Sequence, residues 1–199
     1  MSQYNIIAES QEYTVVAEYD HVATPAEAYQ SEADLEKEFI RLLGEQGYEY
    51  LPIHKEADLI FNLRDQLEKL NHYHFTDNEW EHFFNECIAN KNDDIVAKTA
   101  KIQDDYIQVL KRDTGESQNI KLIDKDNIHN NFVQVINQYV EEGGNYDTRY
   151  DVSILVNGLP LVHIELKRRG VQLKEAFNQI NRYQRDSFWA GCGLYEYVQ

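Results

Sequence analysis

Tyr150-Asp-Val-Ser-Ile-Leu-Val-Asn-Gly-Leu-Pro-Leu-Val-His-Ile-Glu-Leu-Lys167 reads as two β-strands around an Asn157-Gly158 turn, because Asn-Gly between alternating apolar residues is a strong hairpin signal. Within this apolar stretch lie Asp151, Glu165 and Lys167. An unpaired charge in a dry interior is costly, so three ionisable residues among Val, Ile and Leu call for a reason. Register decides what they can do. A plain two-residue turn pairs Val156 with Leu159, and so Asp151 with Ile164, which sends Glu165 to the opposite face, where the two carboxylates could not share an ion. A three-residue loop of Asn157, Gly158 and Leu159 pairs Val156 with Pro160 and sets Asp151 opposite Glu165. Asp151, Ser153, His163, Glu165 and Lys167 then share one face, and Val152, Ile154, Val156, Val162, Ile164 and Leu166 share the other. A slip of one residue mixes these sets, so the apolar pattern selects the second register. An odd loop or a bulge is therefore expected, and a tight two-residue turn would contradict it. Opposed Cβ atoms lie about 4.5–5.5 Å apart, near enough for both carboxylates to reach one cation.

Around the hairpin, the chain reads as an α/β (α+β) domain with helices beside a mixed sheet. Residues 4–19 alternate weakly and suggest short strands. Ser31, with Asp34 three residues on, caps a helix to about Gly47 that carries Leu35, Phe39, Leu42 and Leu43. Residues 56–71 place Ile60, Leu63, Leu67 and Leu70 at helical spacing. Thr76 and Glu79 open another helix, bearing Trp80, Phe83, Phe84, Cys87 and Ile88, and a further helix is expected over 93–103. A hairpin is expected over 105–124 around Asp113-Thr114-Gly115. Residues 130–140 fit both strand and helix periods. A helix over about 172–186 follows the hairpin.

At 199 residues the chain is long enough for a real core. Its two cysteines are no disulfide framework, no basic-then-apolar leader opens the sequence, and no apolar run approaches a membrane span. A reducing cytosol is the expected setting. The net charge of −16 argues against nucleic-acid binding over the whole surface. Residues 160–185, however, hold six basic against two acidic side chains, so the most basic stretch adjoins the candidate site. His72, His74, His82 and Cys87 lack paired zinc-ligand spacing.

Two strand carboxylates, a backbone carbonyl and water can give Mg²⁺ its oxygen-rich shell, and the ion can then polarise a phosphodiester. Lys167 could orient or help deprotonate the attacking water and offset phosphate charge. The bland alternative is a structural ion-pair network in which Lys167 only neutralises the acids.

Asp151-(x)13-Glu165-Leu-Lys167 resembles the PD-(D/E)xK nuclease signature. The longer string from Arg149 to Gly170, with Glu175-Ala-Phe-Asn-Gln-Ile-Asn-Arg-Tyr183 after it, resembles the N-terminal part of type I restriction enzyme R subunits (HsdR), and Gln179-x3-Tyr183 is similar to that family's Gln-x3-Tyr motif. The stretches Tyr29–Glu36 and Asp124–Ile128 extend the likeness. The resemblance implies a restriction-endonuclease-like mixed β-sheet flanked by helices. It implies a Mg²⁺-dependent endonuclease domain that cuts double-stranded DNA without sequence preference of its own. Asp151 and Glu165 would be its metal ligands, Lys167 its catalytic lysine, and Gln179, Arg182 and Tyr183 part of a helix bordering the site. Glu32 or Glu36 would complete the metal shell. The nuclease core is expected over about 105–199 plus the first helix, 31–47. No Gly-x4-Gly-Lys-Ser/Thr loop occurs, so ATP would act only through motor domains outside this chain, itself expected to be a fragment of a longer subunit. Partners implied are double-stranded DNA, those motor domains, and modification and specificity subunits in a prokaryotic cytoplasm. Two other readings stand beside it. One is a non-cleaving domain docking the motor to the other subunits; the other is an acidic DNA mimic, which the local basic stretch and the hairpin acids disfavour.

Overall fold

In the computed structural model, residues 4–9, 15–19, 31–141, 148–167, 173–183 and 193–198 are described. The chain divides into two compact units, Met1–Gln30 and Ser31–Gln199. In the first, β1 (Tyr4–Glu9) pairs antiparallel with β2 (Val15–Tyr19), with an irregularity between Ile6 and Ala8.

The second unit holds a mixed sheet in the order β3-β6-β7-β8. Strand β3 (Glu49–Tyr50) runs parallel to β6 (Val133–Glu141); β7 (Thr148–Val156) lies antiparallel between β6 and β8 (Leu159–Ile164). The ambiguous segment 130–140 is thus mainly strand. Helices α1 (Glu32–Glu45), α2 (Glu56–Asn71), α3 (Asp77–Phe83), α4 (Ile95–Gln103) and α5 (Leu173–Tyr183) accompany the sheet, with a separate hairpin of β4 (Ile107–Lys111) and β5 (Ser117–Lys121). The two helix starts with capping residues are built as their residues suggest. The Ser31 hydroxyl accepts from Asp34 N, and Thr76 and Glu79 cap each other reciprocally. A π-helical turn, Phe84–Ile88, continues α3.

Helix α2 buries Leu59, Leu63 and Leu67, spaced four apart on one face. They join Phe75, Phe83, Ile136, Leu155 and Leu159 in the main core. The other sheet face packs on α1 through a smaller cluster: Val135, Val152 and Leu43, with Phe39, Ile40, Ile164 and Leu166 against them. Between α2 and the sheet, Asn62 donates to Gln134 Oε1 (2.9 Å) and Gln134 to Glu49 (3.0 Å), so buried amides on both elements are satisfied by each other.

The three-residue loop is corrected. Val156 pairs with Leu159, leaving a two-residue turn in which Asn157 and Gly158 both have positive φ (51° and 83°), the hairpin geometry that Asn-Gly favours. The turn is tight for two reasons. Asn157 is fixed by bonds to Leu122 O (2.9 Å) and Asn131 Oδ1 (2.8 Å) and from Phe132 N (2.9 Å). Gly158 packs on α2, where a Cβ would stand 2.5 Å from the Leu63 Cα. The expected bulge is present instead one step further on. Leu155 pairs with Pro160 but Ile154 with Val162, so Leu161 is the extra residue. Beyond it Ser153 pairs with His163 and Val152 with Ile164, the register that the apolar pattern selects.

Candidate active site

Asp151 and Glu165 each lie one residue beyond the Val152–Ile164 pair, Glu165 just past the end of β8. Three of the apolar set share one side of the sheet. Val152, Ile164 and Leu166 pack toward α1, whereas the Ser153 hydroxyl shares a 2.9 Å hydrogen bond with Tyr195 OH on the other side. Glu165 is fully buried at its side chain, and Lys167 is mostly buried. The Lys167 ammonium donates to Glu165 Oε1 at 2.6 Å, and Leu166 N donates to Asp151 Oδ2 at 3.0 Å. Glu165 Oε2 is buried without a hydrogen-bond partner.

The two acids are driven apart electrostatically. Burial pushes the Asp151 carboxyl up; the Leu166 N–H opposes this, and the Glu165 charge adds to it. Burial also pushes Glu165 up, but its contacts with His163 and Lys167 outweigh that and hold it low. Burial alone would lower the Lys167 ammonium, yet the Glu165 bond and charge keep it raised.

Glu32 and Glu36, on the first turns of α1, sit differently. Both Glu36 oxygens accept from β6 amides, Oε1 from Asn137 Nδ2 (2.5 Å) and Oε2 from Gln138 Nε2. Gln138 is left-handed (φ 51°), and it lies between the pairs Asn137–Val152 and Tyr139–Tyr150, so it is level with Asp151. Glu36 adds to the upward push on Asp151, and Glu32 helps hold Lys167 up. Among the described residues, no three His, Cys, Asp or Glu side chains converge as a metal-binding set. A hard cation of the Mg²⁺ type binds through one or two carboxylates and completes its shell with water and phosphate. Two carboxylates close enough to feel each other's charge, with Glu165 Oε2 buried and without a hydrogen bond, fit that requirement.

Gln179, Arg182 and Tyr183 fall on α5, with Gln179 and Tyr183 one turn apart. Gln179 and Arg182 line a surface cavity of about 590 Å³ with Glu175, Asn178 and Asn181. The hydrogen bonds given above for Asp151, Glu165 and Lys167 involve only one another and Leu166; α5 supplies none of them. Arg168, Arg169 and Arg185 lie outside the described residues. His163 was not singled out from the sequence, although it stands two residues before Glu165 on the same face. Its Nε2 lies 3.6 Å from Glu165 Oε2. No described helix is long and apolar enough to cross a membrane.

Residues 29–199 match the family described as type I restriction enzyme R protein N terminus. The chain is 47% identical over 194 residues to the type I restriction enzyme EcoprrI endonuclease subunit of Escherichia coli, covering 97% of this chain and 62% of that protein. It is 39% identical over 176 residues to the SsaAORF53P endonuclease subunit of Staphylococcus saprophyticus, covering 86% of this chain and 18% of that protein. A putative type I endonuclease subunit of Methanocaldococcus jannaschii is 36% identical over 86 residues, 42% of this chain and 8% of its own length.

Proposed function

Because the chain belongs to the type I restriction enzyme R protein N-terminal family, we propose that Ser31–Gln199 is the endonuclease domain of a restriction enzyme subunit, with its core over about 105–199 and the first helix. It hydrolyses phosphodiester bonds of double-stranded DNA without reading sequence itself. The observation that carries this reading is the cluster past the bulge at Leu161, where Lys167 donates to Glu165 and the neighbouring Leu166 N donates to Asp151.

Asp151 and Glu165 would hold Mg²⁺ between them. The ion, when bound, supplies Lewis-acid polarisation of the scissile phosphate and a more acidic water. Asp151 is held in place by Leu166 N, and Glu165 by Lys167. Lys167 keeps a positive charge beside the carboxylates, where it offsets phosphate charge and orients the attacking water. The α1 acids stand behind this pair: Glu36, clamped by Asn137 and Gln138, orders β6 level with Asp151 rather than competing for the ion. Gln179, Arg182 and Tyr183 belong to a polar helix whose cavity suits contact with DNA or with a neighbouring motor domain. ATP would enter only through such motor domains. The modification and specificity subunits of a prokaryotic cytoplasmic complex would supply the recognition sequence.

The test is cleavage of unmodified DNA by the full chain in its assembled complex, comparing wild type with Lys167→Met. Loss of a positioned charge at a phosphoryl centre is expected to lower the cleavage rate about a hundredfold or more, with complex assembly unchanged. Cleavage within a few-fold of wild type would refute the role of Lys167 and favour the docking alternative.

A further inference from the structure

We infer that His163 is a positioning residue for Glu165: its imidazole fixes the rotation of the Glu165 carboxylate by donating from Nε2 to Oε2, and so presets the pair for a divalent cation. The inference rests on the metal-dependent nuclease reading and adds a residue to it. Glu165 has two oxygens to satisfy inside the protein. Oε1 takes the Lys167 ammonium at 2.6 Å, while Oε2 is buried without a hydrogen bond. Nε2 of His163 faces it at 3.6 Å, a few tenths of an ångström beyond hydrogen-bond range, so a small turn of either side chain closes the contact.

The imidazole is well placed to hold such a contact. Its side chain is 3% exposed, and the Tyr150 ring meets it edge-on at 5.0 Å and 64°. Tyr150 is itself stacked on Tyr195 at 4.4 Å and lies parallel to Tyr139 at 6.2 Å. Tyr195 is tied to β7 by its bond with Ser153. A column of buried rings thus backs the histidine, with the carboxylate on its open side. His163, in β8, and Glu165, just past its end, are separated by one residue beyond the bulge, which brings the two side chains together. Groups that orient a ligating carboxylate typically matter 10–100-fold in metal affinity.

The experiment is Mn²⁺ titration of the full chain followed by electron paramagnetic resonance. His163→Leu is expected to weaken Mn²⁺ binding about tenfold or more. His163→Gln, whose amide nitrogen reaches the Nε2 position, is expected to stay within about twofold of wild type. His163→Asn, equally polar but ending near the Nδ1 position, is expected to behave as Leu does. Should His163→Leu not fold, the Gln and Asn pair decides. Equal affinities for Gln and Asn, or wild-type affinity for Leu alongside a loss in Asp151→Ala, would overturn the inference alone. Wild-type affinity in Asp151→Ala would overturn the site on which it rests.

Discussion

Replacing Asp151 by Ala is expected to lower the DNA cleavage rate of the assembled enzyme about a thousandfold or more, at unchanged DNA binding. A divalent ion at a phosphoryl centre contributes several kcal/mol of transition-state stabilisation, and each 1.36 kcal/mol is tenfold in rate. Loss of about 4 kcal/mol therefore gives about that thousandfold. Asp151 is half-buried and accepts one hydrogen bond, from Leu166 N, so the fold has little at stake in it. Its removal also leaves Glu165 and Lys167 as a neutralised pair with no reason to gather a cation. Single-turnover cleavage of a plasmid substrate, with binding followed separately, checks the expectation. A rate within a few-fold of wild type would show that the acid is structural.

The second large effect lies away from the site. Lys98 on α4 forms an ion pair with Glu196 in the short 3₁₀ turn Leu194–Tyr197, with 0% and 4% of the side chains exposed. The same turn places Tyr195 against the sheet and Tyr197 OH on Ile88 O (2.9 Å), so it laces α4 and the π-helical turn to the strands that carry the site. Lys98→Met removes the cation and leaves Glu196 in the interior. Breaking a buried pair this way costs about 3–5 kcal/mol. Lys98→Met with Glu196→Leu is expected to recover most of the loss, because a well-packed apolar pair avoids the desolvation cost of two charges. Urea unfolding of the three proteins gives the comparison. A single variant within about 1 kcal/mol of wild type would mean that water or another group reaches Glu196.

Much of this arrangement was legible in the residues. The alternation on either side of Asn157-Gly158 was enough to choose the outer register, because any slip puts Val152 and Ile164 on the wrong face. The Thr76–Glu79 capping box and the Ile60, Leu63, Leu67 and Leu70 spacing likewise announce their helices, although Leu59 rather than Ile60 is the fully buried member. What was not legible is how the register is reached. Asn-Gly enforces its own two-residue turn, and the correction falls at Leu161, a residue with no local signature of a bulge. Residues 130–140 fitted two periods; the strand outcome follows from pairing with β7, a strand later in the chain. Glu36 illustrates the same limit in the site. The Ser31–Asp34 cap marks its helix, but the two amides that reach its carboxylate come from Asn137 and the left-handed Gln138 on β6. Lys98 and Glu196 are 98 residues apart and carry no mutual pattern. Local propensity and burial were readable; long-range polar pairing was not.

Anomalous scattering from crystals of the chain grown with Mn²⁺ interrogates the hairpin most directly. The expected result is a peak within about 2.0–2.4 Å of one oxygen from each of Asp151 and Glu165, with Lys167 beside it. No peak there at saturating Mn²⁺, with the two side chains turned to opposite sides of the sheet, would contradict the account.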